Sequence, residues 1–210
     1  MFDYICFDIE TGGLSETKNP ITEIALVVYD CEKFQEKSRF ETFVKPYDNL
    51  VLEPDALKHT GITLEMLEED GVDIEDLVDY LVEVFKTFSY GNARFKYKPV
   101  LVGHNISKFD VPFIEYAFKR QKLNLYDYVE HYHEDTLFLG RSKWVGKQKK
   151  FNLGACCAAA GIELIDAHRA MNDVEANKKL HVHILNTLRQ SGTFVSPQQT
   201  EQRVRNKFNF

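Results

Sequence analysis

The fold that we predict depends first on the stretch YICFDIETGGL, residues 4–14. Residues 4–9 are mostly apolar, aromatic or β-branched, which is typical of a buried strand. Asp8 and Glu10 are two positions apart, so their side chains lie on the same face of that strand. The two glycines that follow allow the chain to turn and another group to approach the backbone closely. We therefore expect a buried strand that ends in a pair of carboxylates.

The elements after this strand place it in an α/β domain. Residues 21–30 and 38–46 have strand character and short connections, which predicts an antiparallel meander with the first strand. The later predicted elements are helical turns over 54–69, helices over 74–88, 111–121, 135–142, 152–160 and 170–189, a loop over 91–99, and strands over 100–104 and 129–133. Strands that alternate with helices after a meander predict a mixed sheet flanked by helices.

The composition is that of an ordinary globular protein. The chain has 210 residues, of which 44% are hydrophobic, and a formal net charge of −6. It can bury a core, which excludes a disordered chain, and its acidity argues against a histone-like binder. No apolar run approaches the ~20 residues of a membrane span, and the acidic start argues against a signal peptide. Four cysteines without CxxC spacing are interpreted as reduced core residues of a cytoplasmic protein.

The charge is unevenly distributed along the chain. Residues 62–85 contain nine acids and neither Lys nor Arg, a pattern typical of a solvated face. Residues 141–150, RSKWVGKQKK, contain five bases and no acid. This basic run either follows a phosphate backbone, with Trp144 as a stacking surface, or is a solvated loop with Trp144 partly packed. Residues 191–210 lack periodicity, so we expect a polar tail after a domain over residues 1–190.

Several residues with catalytic chemistry also have structural interpretations when each is taken alone. Asp8 and Glu10 fit an exposed strand end, although two adjacent carboxylates in a buried position raise each other's pKa. Asp110, in GHNISKFDVPFI, is favoured as a helix N-cap because a proline follows in the first turn. His104 and Asn105 at a strand end fit a turn and a site equally well.

His168 and Asp173 lie in the segment AHRAMNDVEAN. On one continuous helix, a separation of five residues would place them ~140° apart, on different faces. They can cooperate only if His168 lies in the loop before the helix and folds back. Separately, each residue also fits a solvated loop histidine or an acid in the first turn of a helix.

Together these residues indicate a metal site at the ends of strands and the starts of helices, where α/β sheets build their sites. The set consists of Asp8, Glu10, Asp110, Asp173 and His168. Carboxylates without basic partners suit Mg²⁺, which takes oxygen ligands. Two such ions roughly 3.5–4 Å apart can clamp the attacking and leaving oxygens of a phosphodiester. A histidine beside them can take the proton from the attacking water.

Three segments resemble, in order and spacing, the motifs of the DEDD superfamily of 3′→5′ exonucleases. They are FDIETGGL (7–14), GHNISKFDVPFI (103–114) and HRAMND (168–173). His168 makes them similar to the histidine-containing branch, which includes the proofreading subunit of bacterial DNA polymerase III, ribonuclease T and oligoribonuclease. The resemblance extends over about residues 3–190 and includes ITEIALVVYD, FETFVKP, EPDALKHTGIT, EDTLFLGR and NLGACCAAAGI.

The resemblance implies a ribonuclease-H-like fold and a two-metal site that takes Mg²⁺ or Mn²⁺. It implies that Asp8, Glu10 and Asp173 hold one ion, that Asp8 and Asp110 serve the second, and that His168 is the general base. The residues that the resemblance implies at the terminal nucleotide are Thr11, Gly12, Gly13, Leu14, His104 and Asn105. The basic run itself, in the first of its two interpretations, offers Lys143, Trp144 and Lys147 to the phosphate backbone.

The implied activity is removal of nucleoside 5′-monophosphates, one at a time, from the 3′ end of single-stranded DNA or RNA. Two alternatives stay open on the sequence. One is a non-catalytic nucleic-acid-binding module with the same fold, although all five motif residues are present. The other is a proofreading subunit that docks on a polymerase through residues 191–210.

Overall fold

A five-stranded mixed sheet organises the described part of the chain. The structure is a computed structural model, and it describes residues 2–91, 96–165 and 168–190. The strands are β1 (Asp3–Thr11), β2 (Ile21–Asp30), β3 (Glu36–Phe43), β6 (Val100–Gly103) and β7 (His133–Asp135), with a small separate hairpin of β4 (Tyr90–Gly91) and β5 (Lys96–Tyr97). The order across the sheet is β3-β2-β1-β6-β7. The predicted α/β class with a mixed sheet is confirmed.

The pairing of β1 explains why it is central to the domain. β1 is antiparallel to β2 and parallel to β6, and β6 is parallel to β7. The predicted meander of the first three strands is confirmed, since β2 and β3 are also antiparallel. Because β1, β6 and β7 are parallel, their carboxyl ends meet at one edge of the sheet, which we call the carboxyl edge.

Seven helices in the described residues cover the sheet. They are α1 (Pro54–Thr60), α2 (Leu64–Asp70), α3 (Ile74–Thr87), α4 (Asp110–Arg120), α5 (Thr136–Trp144), α6 (Leu153–Ala160) and α7 (Ala170–Gln190). The local signals agree with these bounds. Gly61 ends α1 and Gly161 ends α6, both in the left-handed conformation, with φ of 72° and 70°. None of these helices combines the length and the apolar character needed to cross a bilayer.

Two predicted strands have different bounds in the structure. The third strand ends at Phe43 rather than at residue 46. The predicted strand over 129–133 is wrong, because β7 begins only at His133. The reason is a short 3₁₀ helix at Leu125–Asp127: the backbone N–H groups of Tyr128 and Val129 donate to the carbonyl of Leu125 and are not available to a sheet.

The structure changes one further prediction, and another prediction concerns residues that it does not describe. Part of the predicted loop over 91–99 belongs to the β4–β5 hairpin, in which Tyr90 pairs with Tyr97. The predicted tail over 191–210 lies outside the described residues. All four cysteines are free thiols, as expected, although Cys31 is only half-buried and is not a core residue.

The alternation of side chains along β1 gives its two faces different partners. Ile5, Phe7 and Ile9 pack in the core cluster that includes residues of α3 and α4. Tyr4 and Cys6 point to the other face and pack against Ala170 and Val174 of α7. Asp8 and Glu10 continue this second face, because side chains two apart share one face of a strand. The fold therefore brings the amino-terminal turns of α7 to the acidic end of β1.

Two helical leucines provide a matched test of this core. Leu77 on α3 is 1% exposed, whereas Leu64 on α2 is 47% exposed. We expect Leu77→Ala to lower the free energy of unfolding by about 2–5 kcal/mol, because it removes buried methyl groups and leaves a cavity. Leu64→Ala should cost less than about 1 kcal/mol. Urea unfolding of both variants checks this, and equal losses would contradict the assigned packing.

Candidate active site

The carboxylates of Asp8 and Glu10 lie at the carboxyl edge, on the face of β1 that α7 covers. Both residues are half-buried, so the predicted alternative of a fully solvated strand end does not apply. No Lys or Arg in the described residues forms a salt bridge with either carboxylate. Two acids held this way favour a positive ion between them.

Asp110 joins this pair from the neighbouring strand. β6 ends at Gly103, and Asp110 is the first residue of α4, only 3% exposed. Its Oδ1 accepts a hydrogen bond from the backbone N–H of Ile9 at 3.2 Å. Ile9 lies between Asp8 and Glu10, so the third carboxylate is fixed to the backbone of the acidic strand end. The N-cap interpretation is wrong, because Phe109 occupies the cap position and Asp110 bonds to β1 instead.

His168 lies in the loop before α7, as its cooperation with Asp173 requires. The residue has a φ of 75°, in the left-handed region that non-glycine residues seldom adopt. Its backbone N–H donates to Oδ2 of Asp173 at 3.3 Å, which folds the loop back onto the helix. Side-chain atoms of Glu10, His168 and Asp173 that can bind a metal all lie within 4.8 Å of one another.

Burial raises the pKa of every carboxylate in this group, and repulsion within the group raises it further for Asp8 and Glu10. Burial is the largest cause for each; Asp110, Glu10 and Asp173 add to it for Asp8, whose pKa lies well above its ordinary value. The pKa of Glu10 rises to about 8, with Asp173 as the next cause. The pKa of Asp110 rises to about 7, and that of Asp173 is also raised by burial. The fold therefore holds these acids together at an electrostatic cost that a bound cation relieves.

The donor set fits divalent metal ions. The Oδ1 atom of Asp173 is buried and has no hydrogen-bond partner among the described residues. Buried polar atoms without partners are rare and call for an explanation such as an ion. Carboxylate oxygens with one imidazole nitrogen are ligands that hard and borderline divalent cations accept. The structure thus brings together the five motif residues, with Asp8, Glu10, Asp110 and Asp173 as the carboxylates and His168 beside them.

A pocket of about 410 Å³ opens next to these acids. The predicted residues Thr11, Gly13 and Leu14 line it, together with Glu10 and His168. Thr11 Oγ1 donates to the carbonyl of Gly13 at 2.6 Å, which fixes the tight turn. Leu14 is 84% exposed, so its apolar side chain is free to contact a bound molecule.

Gly12 does not line this pocket, but it packs within the turn that forms part of the pocket wall. It is buried, and its N–H donates to the carbonyl of Pro20 at 2.8 Å. A Cβ at this position would lie 2.8 Å from the Leu52 side chain and 2.9 Å from Pro20, so glycine is needed for close packing. The structure thus gives Gly12 a role in the packing of the turn, and its contact with the terminal nucleotide stays a prediction.

His104 and Asn105 line a second groove, of about 490 Å³, and not the pocket beside His168. His104 donates from Nε2 to the carbonyl of Phe151, and its Nδ1 lies 2.9 Å from Thr136 Oγ1. Its pKa is lowered by burial. Both ring nitrogens thus tie β6 to the segments around α5 and α6, and the contact of these two residues with the terminal nucleotide stays a prediction.

The basic run surrounds this second groove. Arg141 and Lys149 line it beside Asn105 and Phe151, and we call it the basic groove. Trp144 is 8% exposed and packs in a core cluster with Cys156 and Leu180. The expectation that Trp144 offers a stacking surface is therefore wrong, because its faces are covered by the protein. Lys143 lies over its ring at 5.6 Å, whereas Lys147 is exposed.

Several residues of the pocket were not predicted from the sequence as site residues. Glu53, Asp55, His59 and Phe109 all line it. The ring of His59, on α1, lies 3.9 Å from that of His168, centroid to centroid. The segment EPDALKHTGIT resembles a segment of the exonucleases, and this resemblance was the one indication that it belongs to the site. No local pattern in it shows that α1 packs beside α7.

Comparison with known proteins agrees with the geometry. Over residues 5–181 the chain matches the RNase_T family model, described as "Exonuclease". It is 33% identical over 189 residues to DNA polymerase III PolC-type of Bacillus subtilis, and 34% identical over 178 residues to that of Halalkalibacterium halodurans. These matches cover 90% and 85% of this chain but only 12% and 11% of the relatives.

Solved structures support the fold. E. coli Exonuclease I in complex with a dT13 oligonucleotide superposes with a TM-score of 0.74 at 22% identity, over 92% of this chain and 43% of that one. A zinc-bound form of the E. coli ExoI–ssDNA complex superposes with a TM-score of 0.73 at 20% identity, over 89% of this chain and 41% of that one. The family match covers most of the chain and contains all five site residues, the four carboxylates and His168, from β1 to the start of α7. The chain therefore belongs to the RNase_T family of exonucleases.

Proposed function

We propose that this protein is a metal-dependent 3′→5′ exonuclease that releases nucleoside 5′-monophosphates from DNA or RNA. The observation that carries the proposal is the convergence of Glu10, His168 and Asp173, whose ligand atoms lie within 4.8 Å. Family membership and the likeness to Exonuclease I support it. Because the chain spans only about 12% of its PolC-type relatives, their wider activities are not carried over.

The carboxylates would hold two Mg²⁺ or Mn²⁺ ions. Asp8, Glu10 and Asp173 would bind one, and Asp8 with Asp110 would bind the other. When bound, such ions supply positive charge to the phosphodiester oxygens that become more negative in the transition state. The rest of the chemistry falls to the side chains. Asp110, fixed to the Ile9 backbone, keeps β1 and α4 at a constant separation.

His168 would be the general base. Imidazole accepts a proton readily near neutral pH, and His168 is exposed beside Glu10. It would take one proton from a water whose oxygen bonds to phosphorus, while the bond from phosphorus to the 3′ oxygen of the preceding nucleotide breaks. The products are a nucleoside 5′-monophosphate and a strand shortened by one residue, whose 3′ oxygen gains a proton.

Each of the two concave surfaces would bind a different part of the substrate. The pocket at Thr11, Gly13 and Leu14 would take the terminal nucleotide. The basic groove follows β6 and borders α5, on the β7 side of the carboxyl edge, so it would take phosphates upstream of the scissile bond. Arg141 and Lys149 line this groove and form no salt bridge in the described residues, and Lys143 and Lys147 would extend the surface.

A cleavage assay tests the activity directly. We expect Mg²⁺ or Mn²⁺ to support stepwise shortening of a 5′-labelled single-stranded oligonucleotide, and EDTA to stop it. Asp8→Asn should lower the rate by at least about 10²-fold, because it removes a charge that binds the ions. Asp79→Asn, on the exposed face of α3, is the matched control. Parallel DNA and RNA substrates identify the preferred sugar, and no cleavage of either would refute the proposal.

Substitution of the base gives a second prediction. We expect His168→Asn to reduce kcat by about 10²–10⁴-fold, the usual contribution of general acid–base catalysis. His131→Asn changes an exposed histidine in the segment before β7 and should leave kcat unaltered. An active His168→Asn enzyme would assign the base to another group.

The raised pKa values of the carboxylates determine how the stability of the metal-free protein and its binding of metal change with pH. The folded pKa of Glu10 is raised from its ordinary 4.5 to about 8, so between these values the folded protein binds more protons than the unfolded chain. The metal-free protein should therefore lose stability as pH rises through this window. At 100 times its Kd, Mn²⁺ should add about 2.7 kcal/mol, or roughly 5–10 °C in Tm.

Thermal denaturation at several pH values measures both effects. The Tm increase with Mn²⁺ should grow from pH 5.5 to pH 8, because protons compete with the ion for the same oxygens. Asp8→Asn should raise the metal-free Tm and diminish the increase. An unchanged Tm with Mn²⁺ at pH 8 would contradict the metal site.

Binding to the basic groove has its own signature. On the inactive Asp8→Asn background, Arg141→Gln with Lys149→Gln should weaken binding of a single-stranded oligonucleotide. The slope of log affinity against log salt should become shallower by ~1.4, for two lost phosphate contacts. Lys33→Gln, at the β2–β3 turn on the opposite edge, is the control. Fluorescence anisotropy measures this, and an unaltered slope would place the upstream strand elsewhere.

A proofreading role is the second candidate, and the similarity to PolC-type DNA polymerase III favours it. In that case the exonuclease would act beside a polymerase, with residues 191–210 as a docking segment. Retained co-purification with a polymerase after deletion of these residues would remove the docking role. A non-catalytic nucleic-acid-binding module is disfavoured because all five motif residues converge; binding without cleavage in any metal would revive it.

A further inference from the structure

An ion pair with a buried carboxylate lies next to the loop that carries His168. Glu23, on β2, has a side chain only 1% exposed. The guanidinium of Arg169 donates to its Oε1 from Nη2 at 2.8 Å and from Nε at 3.2 Å. Arg169 directly follows His168, so the bond anchors this loop to the sheet.

The same carboxylate also binds the start of α7. The backbone N–H of Ala170, the first residue of the helix, donates to Glu23 Oε2 at 3.1 Å. The carbonyl of Arg169 in turn accepts from the N–H of Asp173 at 3.1 Å. One buried carboxylate therefore holds the side chain of Arg169 and the first turn of the helix that presents Asp173.

Glu23 differs from the metal-binding acids although it lies beside them. It pairs with Glu10 in the β1–β2 register, so both side chains lie on the same face. Asp8, Glu10, Asp110 and Asp173 have no Lys or Arg salt-bridge partner in the described residues, whereas Glu23 has Arg169. Because its charge is compensated and its oxygens are engaged, Glu23 is suited to anchoring rather than to binding an ion.

The outer side of Arg169 is also held. Its guanidinium lies over the ring of Phe43 at 5.5 Å and 4.0 Å from Glu41 Oε1. Arg169 thus connects β2 and β3 with the first turn of α7. The neighbouring His168 has a φ of 75°, a conformation that non-glycine residues keep only where the surroundings hold it.

We propose that Glu23 and Arg169 are a positioning pair that holds His168 and Asp173 against Glu10. The proposal rests on the proposed exonuclease function, in which His168 is the base and Asp173 a ligand. Neither Glu23 nor Arg169 touches the reacting atoms in this role. Their contribution is geometric, and a misplacement of about 1 Å in an active site can lower the rate about 10²-fold.

Kinetics of the full chain test the pair. We expect Glu23→Gln and Arg169→Gln each to lower kcat about 10–100-fold, with KM changed less than about twofold. The double variant should be no slower than the slower single variant, because the two residues act as one unit. Arg169→Lys should recover part of the kcat lost in Arg169→Gln, since it keeps the charge but loses the fork of donors.

A matched ion pair controls for a general loss of stability. Arg120, near the end of α4, binds Asp48 with two nitrogens in a comparable arrangement. Arg120→Gln should leave kcat unaltered. If Glu23→Gln and Arg169→Gln both retain wild-type kcat, or if Arg120→Gln lowers kcat as much as they do, the positioning role is overturned.

Amide hydrogen exchange separates this proposal from the proposed function, because it requires no activity. Arg169→Gln should accelerate exchange in peptides that cover residues 168–175, while exchange in α3 stays as in the wild type. Arg169→Gln changes a half-exposed side chain, so it keeps the test available if the substitution at buried Glu23 prevents folding. An inactive wild-type chain would refute the exonuclease proposal alone, and unaltered exchange at 168–175 would refute the positioning pair.

Discussion

Electrostatic repulsion among four carboxylates is the constraint on which the site depends. Asp8 and Glu10 extend from one strand, Asp110 starts a helix after the neighbouring strand, and Asp173 approaches on α7. Burial raises the pKa of all four groups, and neighbouring acids of the set raise it further for Asp8 and Glu10. Apolar packing of α7 against β1, through Val174 and Cys6, opposes this repulsion and keeps the acids together. The free energy of core packing therefore offsets the repulsion among the acids and maintains an arrangement that favours cations.

Acids of the site and acids that stabilise the fold differ in their hydrogen-bond and salt-bridge partners. Glu23 lies next to Glu10 in the sheet but is engaged by Arg169 and by the backbone of Ala170. Asp135 caps α5 and accepts from the backbone N–H of Asn105, which stabilises the loop after β6. Oδ1 of Asp173 and Oδ2 of Asp135 are both buried without a hydrogen-bond partner in the described residues. Asp173 differs from Asp135 in its surroundings, because a ligand atom of its side chain lies within 4.8 Å of those of Glu10 and His168.

The division of the carboxyl edge into a pocket and a basic groove follows from the strand order. The turn after β1 and helix α1 enclose the pocket, and Gly12 permits the close packing beneath it. The loop after β6 and helix α5 enclose the groove with Arg141 and Lys149. The acids lie at the end of β1 and in the first turns of α4 and α7. Under the proposed function, a single strand of nucleic acid that lies in the groove would place its 3′ end in the pocket.

The sequence alone determined the class of the fold, the meander, most helix bounds and the five motif residues. These depend on local properties: the period of apolar residues, glycine at helix ends, and motif spacing. It did not determine contacts between distant segments. Whether Asp110 caps its helix or bonds to Ile9, and whether Trp144 faces solvent or the core, were decided by packing, as was the bond of His104 to Phe151. Residues such as Glu23 and Arg169, 146 positions apart, acquire a common role only when the tertiary structure brings their charges within hydrogen-bonding distance.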